Sequence, residues 1–600
     1  MPSLRRIALR LALACTAGVL LVSTAAPALE AQQPALRTWQ EENEFKAGPT
    51  PFEPLMKFWY ELDRQSDLVS IRPLTRTLLG REFTLVTISK EPMANAQDAL
   101  RSGKTIVFIG NAVHGNEPAG KEASQLVARD LVFGDLRHVL DSAIVLFVPL
   151  INPDGGEVRR RTNEEGFDMN RDWLKLESQE IHAIVTQVLN EWTPDIHIDT
   201  HHGGSAPYTL TWQGTLNPAA DRELREYPYR TVFPAIRTAL RAEGYDGFDY
   251  SGAQTRDGVR GWGSTSVEAR KHHVYTGLVN SIGMLFETPS STHRVRNGAV
   301  EAIPQPERYY HQVRGQVIGI RTVLLHAHRR RSEVRALTNA SRLRAIRAGA
   351  NPTAADAVVV EYELVSRGTE PVWMPNAPAG GPGGGQGGPG GQGQNITYTL
   401  QNVPVWLKYD VKRTIPRARG YVLPASIAKV VPLLLEHGIQ VHRFTTPTTL
   451  ELEVYDALGV RRNEYFQGHY LQSVTGVEKK VERVDVPAGW YYVSTAQSKG
   501  NLISYFLEPE TDDNLITWNY TDNVLRVTPS SVDEAMQGLL GDNDLNSLTP
   551  QQREQLEARA RAMMAAKQRV PMMRLVTPQP MPLLEVISFN EYNRTRYWQP

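Results

Sequence analysis

The chain of 600 residues has a single cysteine, Cys15, and equal numbers of basic and acidic side chains, 65 of each. A chain with one cysteine cannot form an internal disulfide, so its stability has to come from apolar cores. Any metal site has to use histidine and carboxylate ligands. The formal net charge of zero argues against nucleic acid as a partner, because contacts to a phosphate backbone need an excess of positive charge.

The N-terminus has the features of an export signal. Residues 5–10 carry three arginines, an apolar run follows at 11–22, and Ala26-Pro27-Ala28 comes after it. This order is typical of a secretory signal peptide that is cleaved after a small residue. We therefore expect an exported protein, periplasmic or extracellular. An uncleaved membrane anchor is the alternative, but the run is short for a span, so we expect no stable membrane insertion after cleavage.

Between about residues 50 and 347, short apolar runs alternate with segments of helical spacing. The apolar runs are 105–109, 143–148 and 284–286, and the helical segments are 122–131 and 177–192. Continuous apolar strands separated by helices predict an α/β fold with a mixed, mostly parallel sheet and helices on both faces. The stretch 306–347 predicts one long helix or a pair of helices.

We expect three parts along the chain. These are a signal peptide at 1–28, an α/β domain at 36–347 and a β-rich accessory region at 348–600. The segment 377–394 is rich in glycine and proline, and such a sequence cannot bury enough apolar surface to become ordered. Two interpretations of this segment remain, a flexible linker and the tip of a hairpin. Later in this region, Thr549 and Gln552 predict a capped helix start.

His114 and Glu117 lie three residues apart, shortly after the apolar run that ends at Gly110. On a turn that enters a helix, this spacing can aim an imidazole and a carboxylate at one ion, and zinc accepts both kinds of ligand. The pattern is weak alone. Its position at the carboxyl end of a strand strengthens it, because open α/β sheets build their sites there. A third ligand is required.

The best candidate for the third ligand is His201. His197, Asp199 and His201 share one face of a predicted strand by their period of two, and His201 ends the strand before two glycines. The adjacent His202, which would point the other way or into the loop, is the alternative. We expect His197 and Asp199 to be structural or to orient the ligand ring.

Together these residues resemble the carboxypeptidase A-like zinc metallocarboxypeptidase family. The motifs of that family occur here in the same order: His114-Gly115-Asn116-Glu117, Asn152-Pro153-Asp154-Gly155, Arg161, Asp168-Met169-Asn170-Arg171, His201 and Leu285-Phe286-Glu287-Thr288. The resemblance covers roughly residues 50–345. It implies one zinc ion per chain, bound by His114, Glu117 and His201, and removal of the C-terminal residue of a peptide or protein.

The resemblance also implies roles for other residues. Glu287 would be the general base that takes a proton from the zinc-activated water and later gives it to the leaving amine. Asn170 and Arg171 would grip the terminal carboxylate, which a guanidinium binds with two parallel hydrogen bonds. Arg161 would polarise the scissile carbonyl, and Arg160, in the same run of arginines, is the alternative register.

Two further positions are implied by the family. Asp168 matches the carboxylate that hydrogen-bonds the first zinc-ligand histidine, here His114. The tyrosine that covers the substrate in the family has no clear equivalent in this chain. Tyr250 lies too early in the sequence. Tyr275, twelve residues before Glu287, is a candidate for substrate binding, with a packed aromatic side chain as the alternative.

The sequence therefore predicts a secreted zinc carboxypeptidase. One alternative is a zinc amidase or endopeptidase acting on peptidoglycan stem peptides or another amide, and a second is a non-catalytic binding protein on the same scaffold. The presence of Arg161 together with Asn170 and Arg171 favours a substrate with a free carboxylate. A purely structural zinc is disfavoured, because such sites are usually closed and rich in cysteine. The sequence indicates neither the side-chain preference nor the oligomeric state.

Overall fold

The computed structural model describes residues 36–91, 93, 95–289, 292–376, 396–541 and 543–588. The predicted signal peptide, 1–28, and the glycine-rich segment, 377–394, lie outside the described residues. Within the described ranges, no helix combines the length and the apolar character needed to cross a membrane.

The first part of the chain alternates between strands and helices. Its strands are β1 Val69–Arg76, β2 Glu82–Ile88, β3 Thr105–Asn111, β4 Ala143–Val148, β5 Ile196–His202, β6 Leu210–Gly214, β7 Gly247–Asp249, β8 Gly252–Arg256, β9 Val259–Gly263, β10 Ile282–Thr288, β11 His293–Arg296 and β12 Ala299–Ala302. Its helices are α1 Trp39–Glu42, α2 Phe52–Gln65, α3 Ala96–Arg101, α4 Ala119–Phe133, α5 Pro153–Glu157, α6 Gln179–Ile184, α7 Asn190–Trp192, α8 Arg222–Tyr227, α9 Phe233–Ala242, α10 His272–Leu278, α11 Arg308–Arg329 and α12 Arg331–Ala350.

The central sheet has eight strands in the order β1-β2-β4-β3-β5-β10-β6-β7. The middle strands β4, β3, β5 and β10 are parallel to one another, and β6 and β7 are also parallel. Antiparallel pairs join β1 to β2, β2 to β4 and β10 to β6. The structure thus confirms the mixed, mostly parallel α/β sheet. The stretch 306–347, predicted as one long helix or a pair, forms the two separate helices α11 and α12.

Successive side chains of β3 enter different cores. Val107 and Ile109 pack on the face covered by α2, α4 and α11, whereas Ile106 and Phe108 pack on the opposite face with α6 and with residues from the C-terminal region. Because side chains alternate between the two faces of a strand, a sheet that is covered on both faces needs apolar residues throughout. This double burial explains the continuous apolar runs in the sequence.

The C-terminal region is richer in strands but also contains helices. Its strands are β13 Val358–Pro375, β14 Tyr398–Ile415, β15 Gly420–Leu423, β16 His442–Phe444, β17 Thr448–Ala457, β18 Val460–Phe466, β19 His469–Val474, β20 Val477–Val486, β21 Tyr491–Ser494, β22 Gln568–Arg569, β23 Met573–Leu575 and β24 Leu584–Val586. Its helices are α13 Val430–Glu436, α14 Gly500–Leu507, α15 Val532–Leu540 and α16 Pro550–Ala565. The capping box predicted at Thr549 and Gln552 is present at the start of α16.

The two parts of the chain are joined through a sheet and through a core. Strands β13 and β14 pair antiparallel, and β14 pairs in parallel with β9 of the first part. The sheet order is therefore β13-β14-β9-β8. Residues of α13 and α14 belong to the same apolar cluster as Ile106 and Phe108. A sheet and an apolar cluster thus each combine residues from both sides of residue 347.

Candidate metal centre and active site

The candidate site lies where three neighbouring parallel strands end. Strands β5 and β10 pair in parallel with His201 directly opposite Glu287, and β3 pairs with β5 on the other side. His114 follows the end of β3 by three residues. The carboxyl ends of these strands therefore bring the metal-ligand candidates and the candidate base to one edge of the sheet, as expected for an open α/β sheet.

His114, Glu117 and His201 are buried together. The Nδ1 atoms of the two histidines are 3.1 Å apart, and the Glu117 Oε2 atom lies 2.9 Å from His114 Nδ1 and 2.8 Å from His201 Nδ1. Ligand atoms at about 2.0–2.2 Å from a tetrahedral zinc ion are separated by about 3.3 Å. The spacing and the donor set of two imidazoles and a carboxylate thus fit one zinc ion.

The second ring nitrogen of each histidine faces a carboxylate. His114 Nε2 lies 2.9 Å from Asp168 Oδ1, and His201 Nε2 lies 2.9 Å from Asp199 Oδ1. With a metal ion bound, a proton on each Nε2 would face its carboxylate, and each Nδ1 would offer its lone pair to the ion. This arrangement orients both rings, and Asp168 and Asp199 have the positions expected of them.

His202 has a different environment from its neighbour. Its Nε2 accepts a hydrogen bond from the backbone N–H of Ala119 at 2.8 Å, at the start of α4. Burial lowers the pKa of His202 to about 4, so the ring is neutral and able to accept. The His202 side chain is therefore hydrogen-bonded to the start of α4, and His201 is the histidine that lies in the ligand cluster.

Two glycines allow the backbone to pack closely around the site. A Cβ atom on Gly203 would collide with the carboxylate of Glu287, and a Cβ atom on Gly115 would collide with the backbone of Gly155 and Gly156. The Asn152-Pro153-Asp154-Gly155 segment is the capped start of the short helix α5. Its packing against the loop after β3 helps to fix the position of His114.

Arg161 lies beside the ligand cluster, and Arg160 does not. Arg161 donates from Nη1 to Glu117 Oε1 at 3.0 Å, and from Nε and Nη2 to Asp168 Oδ2 at 3.2 and 2.9 Å. The side chain of Arg160 instead pairs with Glu164 at 2.5 Å. Arg161 is thus the arginine of this run that can reach a substrate at the metal.

Asn170 and Arg171 line the same cleft as the cluster. Asn170 Oδ1 accepts a hydrogen bond from the backbone N–H of His272 at 2.9 Å. Arg171 donates to the carbonyl oxygen of Asn170 at 2.8 Å and lies 3.8 Å from Asp168. These contacts hold a guanidinium and an amide at the wall of the cleft.

Glu287 also lines this cleft and is 6% exposed. Among the described residues its Oε2 atom has no hydrogen-bond partner. Burial raises the pKa of Glu287 to about 8, with the carboxylates of Glu117 and Asp199 adding to the rise and His201 and Arg161 opposing it. Burial also raises the pKa of Glu117, but His114 and His201 hold it well below its ordinary value. Within one cleft, Glu287 therefore binds a proton more readily than an ordinary glutamate, and Glu117 binds one less readily.

Tyr275 is not in the cleft, which corrects the assignment of this residue to substrate binding. It is 1% exposed, and its hydroxyl contacts His437 Nδ1 at 2.8 Å in the core shared with the C-terminal region. The helix α10 begins directly after Lys271, and it turns Tyr275 away from the strand ends. The alternative reading of Tyr275 as a packed aromatic side chain is the one that the structure supports.

Tyr250 lines the cleft instead, together with Lys271 and His273, and the sequence did not single these residues out for the site. Burial raises the pKa of Tyr250, and the charges of Glu287 and Glu117 act in the same direction, so its hydroxyl stays protonated. The hairpin of β8 and β9 lies between Tyr250 and α10 and lengthens the chain there. The only local signal for Tyr250 is its place in a turn that follows the short strand β7.

Residues 55–218 match the family described as zinc carboxypeptidase. This part of the chain is similar to a zinc carboxypeptidase domain. The matched range includes the metal-ligand candidates, Arg161, Asn170 and Arg171, and it ends before Tyr250 and Glu287. The assignment of the last two residues therefore depends on the geometry of the cleft.

Curated carboxypeptidases are similar to part of this chain. Carboxypeptidase 2 of Trichophyton rubrum is 29% identical over 158 residues, which are 26% of this chain and 29% of the relative. Carboxypeptidase SOL1 of Arabidopsis thaliana is 29% identical over 170 residues, which are 25% of this chain and 32% of the relative. The matches thus span about a third or less of the length of these relatives.

The structure of a metallo-carboxypeptidase from Burkholderia cenocepacia is also similar to this chain. The likeness covers 46% of this chain and 70% of that one, with a TM-score of 0.35 and 20% sequence identity.

Replacing His201 with alanine removes one of the three converging ligand atoms. We expect the zinc affinity to fall by more than the roughly 10–100-fold cost of losing an outer partner of a ligand. His202→Ala is the matched neighbouring control. It should keep the zinc affinity, because the His202 ring accepts a hydrogen bond from the first residue of α4 and is not one of the three converging ligands. Competition with a chelating dye measures both affinities. Zinc lost by the His202 variant and kept by the His201 variant would reverse the ligand assignment.

Proposed function

We propose that the chain is a zinc-dependent carboxypeptidase that hydrolyses the C-terminal peptide bond of peptides or proteins. The observation that carries this proposal is the content of a single cleft. It combines the ligand cluster, the guanidinium of Arg171 and the Glu287 carboxylate, whose Oε2 atom has no hydrogen-bond partner among the described residues. The cluster and the Glu287 carboxylate suit hydrolysis of an amide, and the guanidinium suits a substrate that ends in a carboxylate.

Each polar group of the cleft has a task in this reaction. A zinc ion held by the cluster would polarise the scissile carbonyl and lower the pKa of a water beside it. Glu287 takes a proton from the attacking water while the water oxygen bonds to the carbonyl carbon. Arg161 donates hydrogen bonds to the carbonyl oxygen as negative charge develops there. Glu287 then gives the proton to the peptide nitrogen, the C–N bond breaks, and the terminal amino acid leaves.

The proton affinity of Glu287 supports its role as general base and acid. A group that both accepts and returns a proton works best when its pKa is close to the ambient pH. Burial raises the pKa of Glu287 towards that range, and a bound cation would lower it again by favouring the ionised form. Glu117, whose pKa is held low, stays an anion and suits a metal ligand.

Replacing Glu287 with glutamine tests this role. Glutamine has nearly the same shape but cannot accept the proton, so turnover should fall by about 10²–10⁴-fold. The zinc content should equal that of the unmodified protein, because Glu287 is not one of the three converging ligands. Initial rates and metal analysis on the same preparation provide the measurement. Unchanged turnover at full zinc content would remove Glu287 as the base.

The requirement for a free carboxylate separates this proposal from an amidase or endopeptidase. Asn170 and Arg171 are held at the cleft wall by backbone contacts, so they can bind a terminal carboxylate without large movement. An amide-capped substrate would leave the guanidinium without its anionic partner. A non-catalytic binding protein would not need the buried carboxylate of Glu287 in the cleft.

A panel of acylated dipeptides with free and amidated C-termini distinguishes these functions. The carboxypeptidase should hydrolyse the free acids and leave the amides intact. Arg171→Met should lower kcat/KM for the free acids by at least about tenfold, because it removes a charge-assisted hydrogen-bond donor. Equal hydrolysis of acids and amides would instead favour the amidase or endopeptidase.

We also infer that the terminal side chain of the substrate is acidic. Lys271 lines the cleft, where it donates to Ser266 Oγ at 2.9 Å and lies 2.7 Å from Glu268. An ammonium group has three donors, so one remains for a substrate carboxylate. Without Lys271, the negative charge of Glu268 would repel an acidic side chain.

Lys271→Met tests this preference. The variant should lose at least about tenfold in kcat/KM for substrates that end in glutamate relative to those that end in alanine. Hydrolysis of substrates that end in alanine serves as the internal control for folding and zinc binding. Unchanged relative rates would leave the carboxypeptidase intact and disprove the role of Lys271.

Export of the protein is a further part of the proposal. It is supported by the arginine-rich start, the apolar run and the small residues that follow in 1–28. The substrates would then be peptides or proteins outside the cytoplasm.

A further inference from the structure

The hairpin of β18 and β19 extends from the C-terminal region to the edge of the candidate site. Gln467 and Gly468 form its two-residue turn, and both have positive φ angles, 51° and 82°. Two central residues with positive φ are the form favoured in two-residue hairpin turns, because their twist matches the right-handed twist of the strands. This hairpin is not part of the range that matches the zinc carboxypeptidase family.

The tip of the hairpin contacts the loop that contains Asp168. Gln467 Oε1 accepts a hydrogen bond of 2.8 Å from the backbone N–H of Asp168. Gly468 lies against the ring of Phe167, and a Cβ atom there would be 3.1 Å from a ring carbon. The turn therefore fits closely against two consecutive residues of the loop.

Further contacts hold the two residues that flank the turn. His469 Nε2 lies 2.8 Å from Glu177 Oε1, and its Nδ1 lies 3.0 Å from Asn519 Oδ1. The guanidinium of Arg270 lies over the ring of Phe466, with 5.0 Å between the guanidinium carbon and the ring centre. The position of the turn is thus determined by contacts on both sides of Gln467.

Asp168 connects this turn to the ligand cluster. Its Oδ1 accepts from His114 Nε2 and from the backbone N–H of Asn170, each at 2.9 Å, and its Oδ2 accepts from Arg161. One carboxylate therefore orients a metal-ligand candidate, the loop that contains Asn170, and the arginine that faces the carbonyl. Any shift of the Asp168 backbone would move all three.

We propose that Gln467 is a positioning residue for the metal centre, which it serves by fixing the backbone of Asp168. The C-terminal region is then part of the catalytic unit rather than an appended module. This inference rests on the metal-binding role proposed for His114. It predicts that a change in the hairpin turn alters zinc affinity although no atom of the turn touches the metal.

Gln467→Asn is the most informative variant. Asparagine tolerates the positive φ of the turn, but its side chain is one methylene shorter and cannot reach the Asp168 amide. Loss of a direct partner of a ligating histidine lowers metal affinity about 10–100-fold, and Gln467 acts one step further out, so we expect a loss of about 3–10-fold. Gln467→Glu keeps both the length and an acceptor oxygen and should restore the affinity.

Tyr465→Thr provides a control in the same hairpin. Tyr465 is 64% exposed and packs against Tyr470, so the change perturbs the hairpin without removing the contact to Asp168. Its zinc affinity should equal that of the unmodified protein. The full chain is used throughout, with zinc affinity measured by chelator competition and thermal unfolding measured on the metal-free protein.

The outcomes separate the two proposals. If the unmodified protein does not bind zinc, the proposed function fails. If it binds zinc and Gln467→Asn binds it equally well, the positioning role fails and the proposed function stands. A purely structural role would lower the thermal midpoint of the metal-free Asn variant without changing its zinc affinity. A Glu variant as weak as the Asn variant would also overturn the role assigned to the hydrogen bond.

Discussion

The parallel pairing of β5 with β10 is the constraint on which the candidate site depends. It sets His201 opposite Glu287 at the ends of adjacent strands, and the pairing of β3 with β5 brings the loop with His114 to the same edge. One face of all three strands packs apolar side chains into a single core, and the other face of β3 packs into a second. A shift of one residue would turn every side chain to the wrong face, so the core that stabilises the sheet also fixes the spacing of the site.

That core buries several charged groups, and their partners determine what each can do. The histidines of the cluster face Asp168 and Asp199, and such pairing offsets the loss of hydration. Glu287 differs, because it forms no ion pair with any described residue and its Oε2 atom has no hydrogen-bond partner among them. A buried carboxylate without compensation binds a proton more readily, which is a disadvantage for stability and an advantage for acid–base chemistry.

The ligand candidates could be predicted from the sequence because their signals are local. A strand end, a three-residue spacing and a period of two each appear within a few residues of His114 or His201. Tyr250 was missed because an inserted hairpin hides its distance from Glu287 in space. Tyr275 was misassigned because its partner, His437, is 162 residues away in the chain. Contacts of that kind leave no periodic pattern from which they could be inferred.

The C-terminal region shows the same limit at a larger scale. Its strand patterns were visible in the sequence, but its packing on the Ile106 and Phe108 face of the central sheet was not. Without this cover, that face of the sheet would expose a large apolar surface to water, which is unfavourable in proportion to its area. The region therefore completes the core and, through Gln467, reaches the ligand cluster. The sheet register fixes where the ligands lie, while the hairpin orients the carboxylate that holds one of them.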